Sequence, residues 1–255
     1  MSETLTISRP AGPDDTETLL SIVVPVRNEQ DNVLPLVAEI LTAFDHASFE
    51  IIFVDDGSTD NTAQRLADAR HLAGGRLKIL RHRQTCGQSA AVLTGVRHAH
   101  GPWIATLDGD GQNDPADVPL LWERALAEER LGKGPILLAG HRLRRKDSWR
   151  KRAASRVANR VRAGFLRDDT PDTGCGVKVF RRDAFMNLPH FDHMHRFLPA
   201  LFRRSGGRVV SMPVNHRPRL RGRSNYGNLD RLLVGLVDML GVFWLQRRWK
   251  CPDLE

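Results

Sequence analysis

The sequence predicts an α/β fold: a mostly parallel, doubly wound sheet with helices on both faces. Three observations predict it. Short apolar, β-rich runs alternate with stretches of helical apolar spacing from residue 19 to residue 139. Three of those runs end in polar segments rich in Asp, Asn or Gly, which parallel strands would bring to one edge of the sheet, where ligands bind in open α/β folds. At 255 residues, 41% hydrophobic and 27% charged, the chain is long and apolar enough to bury one large core.

The elements follow in order. Residues 1–18 are polar and acidic, lack the apolar stretch of a secretory leader, and read as a flexible tail. A strand is expected over 19–26. Val33, Leu36, Val37, Ile40 and Leu41 then recur at helical spacing within 29–43. A second strand, 50–54, runs into Asp55-Asp56-Gly57-Ser58, and a helix over 61–73 is closed by Gly74-Gly75. A third strand (77–80) and third helix (89–99) precede a fourth strand (103–107). The next helix, 115–130, has Asp114 as N-cap and Pro115 at its first position. Asp114 is thus better explained as a cap than as a ligand. A fifth strand covers 136–139.

The second half is less regular. A very basic helix is expected over 147–165, a polar turn-rich loop over 168–176, short strands and helices over 177–214, and a basic loop over 216–226. The last helix, 228–248, has an apolar core of 14 residues (232–245) interrupted by Asp238. A membrane span needs about 20 apolar residues. This helix is therefore expected to lie along a membrane interface, with Trp244 and Trp249 at headgroup level, or else to pack into the core or against a second subunit. The division is a tail (1–18), a catalytic domain (19–227) and an interfacial helix (228–250). The three cysteines, Cys86, Cys175 and Cys251, are scattered and odd in number, so they form neither a zinc pattern nor a disulfide framework, and a reducing, cytoplasmic setting fits.

The net charge of +8 conceals an asymmetry: residues 140–223 hold 22 Lys/Arg against 6 Asp/Glu, and the rest of the chain is net acidic. Such an excess calls for an anionic partner: phosphate, nucleic acid or an anionic membrane surface. In the acidic half, Asp108 and Asp110 stand one residue apart just past the fourth strand. Like charges so close repel unless a cation joins them. Mg²⁺ or Mn²⁺ suits such a pair, held by carboxylates together with substrate phosphates. Taken alone, Asp-x-Asp is also compatible with a solvated turn.

Four segments line up at the predicted edge: Val24-Pro25-Val26-Arg27-Asn28-Glu29, Val54-Asp55-Asp56-Gly57-Ser58-Thr59-Asp60, Arg83-Gln84-Thr85-Cys86-Gly87-Gln88-Ser89-Ala90, and Leu107-Asp108-Gly109-Asp110-Gly111-Gln112. Together they closely resemble the family 2 glycosyltransferases of the glycosyltransferase-A fold. Further segments narrow the resemblance: Gly140-His141-Arg142, Ser148-Trp149 with Ser155 and Asn159, Asp172-Thr173-Gly174-Cys175-Gly176, His195-Arg196-Phe197-Leu198-Pro199-Ala200, and Arg219 with Gly222, Ser224, Asn225, Tyr226 and Gly227. These are similar to the branch holding dolichyl-phosphate mannose synthase and the bacterial polyprenyl-phosphate glycosyltransferases. The resemblance covers roughly residues 20–246.

The resemblance implies an inverting, metal-dependent transferase that moves a sugar from a nucleoside diphosphate sugar to a polyprenyl monophosphate, undecaprenyl or dolichyl, at the cytoplasmic face of the membrane. A UDP-sugar is favoured over GDP-mannose, and the sugar itself is left open. Asp108, Asp110 and Gln112 would hold the metal. Pro25, Arg27, Asn28, Glu29, Asp55, Asp56, Gly87 and Asp108 would form the donor site. Arg142, Lys151, Ser155, Arg219 and Ser224 would meet the acceptor phosphate. Asp108, Asp110, Arg142 and Arg219 would carry catalysis. Two positions depart from the pattern: Arg27 stands where many members have Tyr, and Asn225 where they have Lys. The second puts phosphate contact by the Ser224-Asn225 segment in doubt.

A phosphate acceptor removes the need for a general base. A phosphomonoester has a second pKa of about 6 and is largely ionised at neutral pH, whereas a sugar hydroxyl must be deprotonated. Transfer to a hydroxyl of a lipid-linked or polysaccharide acceptor is the enzymatic alternative. A basic nucleic-acid- or membrane-binding protein is the non-enzymatic one, and one tyrosine in the whole chain argues against nucleic acid. A nucleotidyltransferase would want a Gly-rich loop after the first strand, and 25–29 has no glycine. Gln246-Arg247-Arg248-Trp249 approximates the Gln-x-x-Arg-Trp motif of processive synthases but is one residue short. His190, His193 and His195 read as a structural loop rather than a metal site, and Cys175 as part of a tight turn rather than a nucleophile. A homo-oligomer is compatible with all of this.

Overall fold

A computed structural model describes residues 18–44, 48–132, 134–142, 164–166, 168, 170–219 and 228–248, with the side chains of the last helix from 235 onward. In chain order the elements are β1 (Leu20–Val26), α1 (Val33–Ala43), β2 (Phe49–Asp55), α2 (Thr62–Ala73), β3 (Leu77–Arg81), α3 (Gln88–Arg97), β4 (Trp103–Thr106) and α4 (Asp117–Glu129). Then come β5 (Ile136–Arg142), β6 (Lys178–Arg181), α5 (Arg182–Met186), α6 (Leu198–Arg204), β7 (Arg208–Val214) and α7 (Asn228–Arg248).

The seven strands form one sheet in the order β3-β2-β1-β4-β6-β5-β7. All neighbours are parallel except at β6, which runs antiparallel to both β4 and β5. β1, β2 and β4 are buried almost throughout, which is why they read as continuous apolar runs rather than alternating ones. Successive residues point to opposite faces. Ile22, Val24 and Val26 join α1, α2 and α4 in one core layer through Leu36, Ile40, Leu66 and Leu121. Val23, Ile52 and Val54 join α3, α5, α6 and α7 in the other, through Val92, Val96, Phe185, Phe202 and Val242. The doubly wound expectation holds on both faces.

The element boundaries shift by a few residues, chiefly at helix starts. α1 begins at Val33 rather than 29, because Asn28 takes φ +55° and the next residues are bonded across to the 58–62 segment. α4 begins at Asp117 rather than 115. Asp114 still organises the entry: its Oδ1 accepts the Ala116 amide at 3.1 Å and its carbonyl the Asp117 amide at 3.1 Å. β5 continues to Arg142, three residues past the expected end, because β7 pairs along it as far as Arg142↔Val214.

α7 spans the residues expected of it, and one side docks on the body. Val242 is buried, Met239 and Phe243 pack on the second core layer, Arg204 donates to the Leu245 carbonyl at 3.0 Å, and Gln246 to that of Leu166 at 2.9 Å. The other side leaves Leu236, Val237, Leu240 and Trp244 more than half exposed. Phe243 therefore faces inward. Asp238 meets His193 Nδ1 at 3.1 Å. Among the described residues no helix is long and apolar enough to cross a membrane. The tail, the basic helix apart from 164–166, and the loop beyond 219 lie outside the described residues.

Candidate active site

The paired aspartates sit where β4 gives way to a tight loop. The Asp108 amide donates to Asn113 Oδ1 at 3.1 Å, closing residues 108–113 on themselves. Gly109 passes so close to β1 that a Cβ there would lie 2.4 Å from Val26 Cγ1 and 2.9 Å from the Pro25 carbonyl. Gly111 adopts φ +71°, open to glycine but strained for other residues. The Gln112 amide then folds back on Asp110 Oδ1 at 3.1 Å, and the Gln112 side chain donates to the Arg217 carbonyl at 3.3 Å. Asp108 is turned inward. Its Oδ1 accepts from Gln88 Nε2 at 2.9 Å, and its carboxylate presses on Gly176, where a Cβ would stand 2.3 Å from it. Burial, followed by the Asp110 charge, raises the Asp108 pKa; Lys178 and Arg142 oppose this.

Cations surround the pair from three later elements. Arg219 Nη2 bridges Asp110 Oδ2 at 3.0 Å and Glu29 Oε1 at 3.1 Å. Burial raises the Glu29 carboxyl, against bonds from Asn32 and the Arg219 charge. Arg142, at the end of β5, grips Asp172 bidentately through Nε (2.6 Å) and Nη2 (2.8 Å). Burial disfavours its charge, but Asp172 outweighs that and its pKa is raised. Lys178 is the third. Its antiparallel partner in the sheet is Thr106, the last residue of β4, so it starts β6 two residues from Asp108. It is buried and donates to the Cys175 carbonyl, and burial lowers its pKa against the pull of Cys175, Asp108 and Asp172.

The β1 and β2 ends form an adjoining wall. Asn28 accepts the Thr59 amide at 2.8 Å, and its own amide donates to Ser58 Oγ at 3.0 Å. Asp55 takes the Ser58 amide on Oδ1 at 2.9 Å and faces Arg81 Nε at 3.1 Å through Oδ2. Asp56 accepts four bonds, from His82 (2.7 Å), Thr85 (2.8 Å) and the amides of Cys86 (2.8 Å) and Gly87 (2.9 Å). Burial works to raise its pKa, but these bonds prevail and lower it. Gly87 takes φ +89° and so can turn its amide onto Asp56. Asp56, His82 and Cys86 also offer three metal-type ligand atoms within 4.8 Å. Both nitrogens of His82 are already engaged, by Asp56 and by Thr94 at 2.9 Å, so this cluster serves as the frame of the 82–87 loop.

A cavity of about 380 Å³ lies beside Asp108, lined among others by Pro25, Gln88, Lys178, His195 and Arg196. Of the expected site residues, Pro25, Arg27, Asn28, Glu29, Asp55, Asp56, Gly87, Asp108, Asp110, Gln112, Arg142 and Arg219 come together at this one edge, while Lys151, Ser155 and Ser224 lie outside the described residues. Lys178, His195 and Gly176 join them, and the sequence alone assigns none of them to the site. A lysine opening a four-residue strand that also ends in arginine gives no local sign of its burial. His195 reads from sequence as part of a structural loop, and Gly176 enters there only as the end of the Asp172–Gly176 segment of the family resemblance.

The model for glycosyl transferase family 2 matches residues 21–188, two-thirds of the chain and all four of the edge segments. The chain belongs to glycosyltransferase family 2. It is a transferase, and its relatives are as specific. The undecaprenyl-phosphate 4-deoxy-4-formamido-L-arabinose transferase of Edwardsiella ictaluri (strain 93-146) is 33% identical over 229 residues, covering 88% of this chain and 69% of that one. The dodecaprenyl-phosphate galacturonate synthase of Rhizobium johnstonii is 35% identical over 237 residues, covering 89% and 67%. In fold the glycosyltransferase is similar to glucosyl-3-phosphoglycerate synthase of Mycobacterium tuberculosis. With Mn²⁺, UDP and phosphoglyceric acid bound, that enzyme matches at TM-score 0.66, 18% identity and coverage of 97% and 86%. With Mg²⁺ and UDP it matches at 0.65, 17%, and 92% and 81%.

Proposed function

We propose that this glycosyltransferase moves a sugar from a nucleoside diphosphate, UDP-sugar favoured, to a polyprenyl monophosphate at the inner face of the membrane, with inversion at the anomeric carbon. The observation that carries this is the juxtaposition at one sheet edge of the Asp108–Asp110 pair with Arg142, Lys178 and Arg219. One carboxylate pair flanked by three cations suits two phosphate groups brought together, the donor diphosphate and the acceptor monophosphate. The named substrates of both curated relatives support the acceptor.

The donor set fits a hard divalent ion. Asp110, Gln112 and Asp108 offer carboxylate and amide oxygens, the ligands Mg²⁺ and Mn²⁺ take. Asp110 already draws a cation, the Arg219 guanidinium, and the Asp108 charge is destabilised by burial and by Asp110. When bound, the ion would neutralise charge on the leaving diphosphate.

The chain's own groups do the rest. Asn28 and Glu29, with Pro25 and Arg27 before them, and Asp55, Asp56 and Gly87 build the nucleoside side. The two aspartates do so by holding Ser58 and the 82–87 loop in place. Arg142, fixed by Asp172, and Arg219, now paired with Asp110 and Glu29, offer planar donors to phosphate oxygens. Lys151, Ser155 and Ser224 complete the acceptor side in this reading. An ionised acceptor oxygen attacks the anomeric carbon, the carbon–oxygen bond to the diphosphate breaks, and the nucleoside diphosphate leaves with the electron pair. No protein base is required. α7 would rest on anionic lipid through Leu236, Val237, Leu240 and Trp244, as the membrane-facing part of an otherwise single catalytic unit. The test is a screen of UDP- and GDP-sugars against a polyprenyl monophosphate, read as lipid-linked product. Transfer only to sugar hydroxyls would refute the acceptor class.

A further inference from the structure

The cavity beside Asp108 contains a histidine whose proton is assigned by its surroundings. His195 Nδ1 lies 2.7 Å from Ser89 Oγ, in the first turn of α3, and the His195 amide also donates to that oxygen at 3.2 Å. Ser89 is buried, and among the described residues His195 is the only hydrogen-bond partner of its hydroxyl. A buried hydroxyl proton needs an acceptor, and Nδ1 is the one within reach. Nδ1 therefore accepts, and the ring proton sits on Nε2. The ring lines the cavity, and among the described residues nothing bonds Nε2. Burial first, then Lys178 and Arg196, holds the pKa of His195 well below the ordinary histidine value, so the ring is a neutral donor.

We infer that His195, held as its Nε2–H tautomer by Ser89, is a specificity-determining residue that donates a hydrogen bond to a hydroxyl of the transferred sugar, and that the cavity between Asp108, Gln88 and His195 is the sugar subsite. This rests on the donor reading above and deepens it. The cavity has room for a sugar ring, Asp108 of the aspartate pair lines it, and the charged side chains of Lys178 and Arg196 line it as well. A neutral N–H among them suits an uncharged hydroxyl. A site built around one donor discriminates against a sugar lacking its acceptor.

The experiment compares UDP with UDP-hexoses and UDP-hexuronates by calorimetry on the full chain, for the wild type and for His195→Leu, His195→Gln and Ser89→Ala. His195→Leu should weaken the preferred UDP-sugar about 10-fold and leave UDP itself unchanged. His195→Gln, which keeps an amide donor near Nε2, should restore much of the loss, and Ser89→Ala should lose affinity for the sugar nucleotide alone. Equal losses for UDP and UDP-sugar, or no loss in either His195→Leu or Ser89→Ala, would overturn the inference. Should His195→Leu not fold, Ser89→Ala alone carries the comparison. If the wild type binds no UDP nucleotide, GDP and GDP-hexoses replace them in the same comparison, and a wild type that binds neither series overturns the donor reading itself.

Discussion

Gly176→Ala isolates the position of one carboxylate. Gly176 has no positive φ, so the backbone tolerates alanine, and the perturbation is purely one of space. The added methyl would stand 2.3 Å from both Cγ and Oδ2 of Asp108 and 2.6 Å from Oδ1. Ordinary carbon contacts begin near 3.5 Å, so the carboxylate or the 174–176 turn must give by about 1 Å. Thr106 Oγ1 ties the Gly176 carbonyl at 2.7 Å and Gln88 holds Asp108 Oδ1, so neither side yields freely. A misplacement of about 1 Å in a reacting constellation costs on the order of 10²-fold in rate, roughly 2.7 kcal/mol of barrier. The assay is initial-rate lipid-linked product formation at saturating Mn²⁺, with a Mn²⁺ titration and a thermal melt alongside. Gly75→Ala, at a glycine with nothing within 4 Å of a Cβ, is the control and should match the wild type. A Gly176→Ala enzyme with wild-type rate and metal dependence would refute the claim that Asp108 is held in a working position.

Asp110→Asn should reduce transfer at least 10²-fold with little change in melting temperature, and EDTA should do the same to the wild type; full turnover in EDTA would defeat the metal assignment. Asp56 has a lowered pKa in the folded state, so its ionised form contributes stability above the ordinary aspartate value of about 3.9 that is lost as pH falls toward the lowered value. Melts of wild type and Asp56→Asn from pH 6 to pH 3 should therefore converge on acidification, and parallel curves would contradict the four-bond account. With a phosphate acceptor the rate should rise through about pH 6 and flatten above it, whereas a profile tracking a protein group would point to a hydroxyl acceptor. Val237→Asp with Trp244→Asp should abolish flotation on anionic vesicles without lowering the melting temperature, since both side chains are exposed; unchanged flotation would move the membrane contact elsewhere.

Much of the donor side was legible because it is local. Each of the segments 24–29, 54–60 and 107–112 follows its own strand, and parallel pairing brings their ends together without further information. The spacing of Asp108 and Asp110 pointed to a metal, but alone it fits a solvated turn as well, and the other edge segments were needed to favour the metal. The rest depended on contacts distant in sequence. Lys178 belongs at the site only because β6 pairs antiparallel with β4 in the register Thr106↔Lys178, and a four-residue strand carries no sign of its direction. Asp56 was expected in the donor site, and the four bonds it accepts come from a loop some thirty residues on that its own segment does not announce. His195 became distinctive only once Ser89, 106 residues earlier, fell beside it. The last helix was legible in extent, whereas the docking of Val242 and Phe243 depends on a surface built by elements distant in sequence.

The reversed strand also has an architectural consequence. In a wholly parallel sheet every loop at the carboxyl edge leaves a strand, so each site residue must be drawn from a chain that has just finished its pairing. β6 delivers a loop arriving at that edge instead, and residues 170–177 reach Asp108 and Arg142 before the strand begins. A shift of one residue in that pairing would turn Lys178 to the opposite face of the sheet and draw Gly176 off Asp108 at once. Variation on this side can therefore come from changing the length of the incoming segment, leaving the β1–β4 framework and the aspartates it carries untouched.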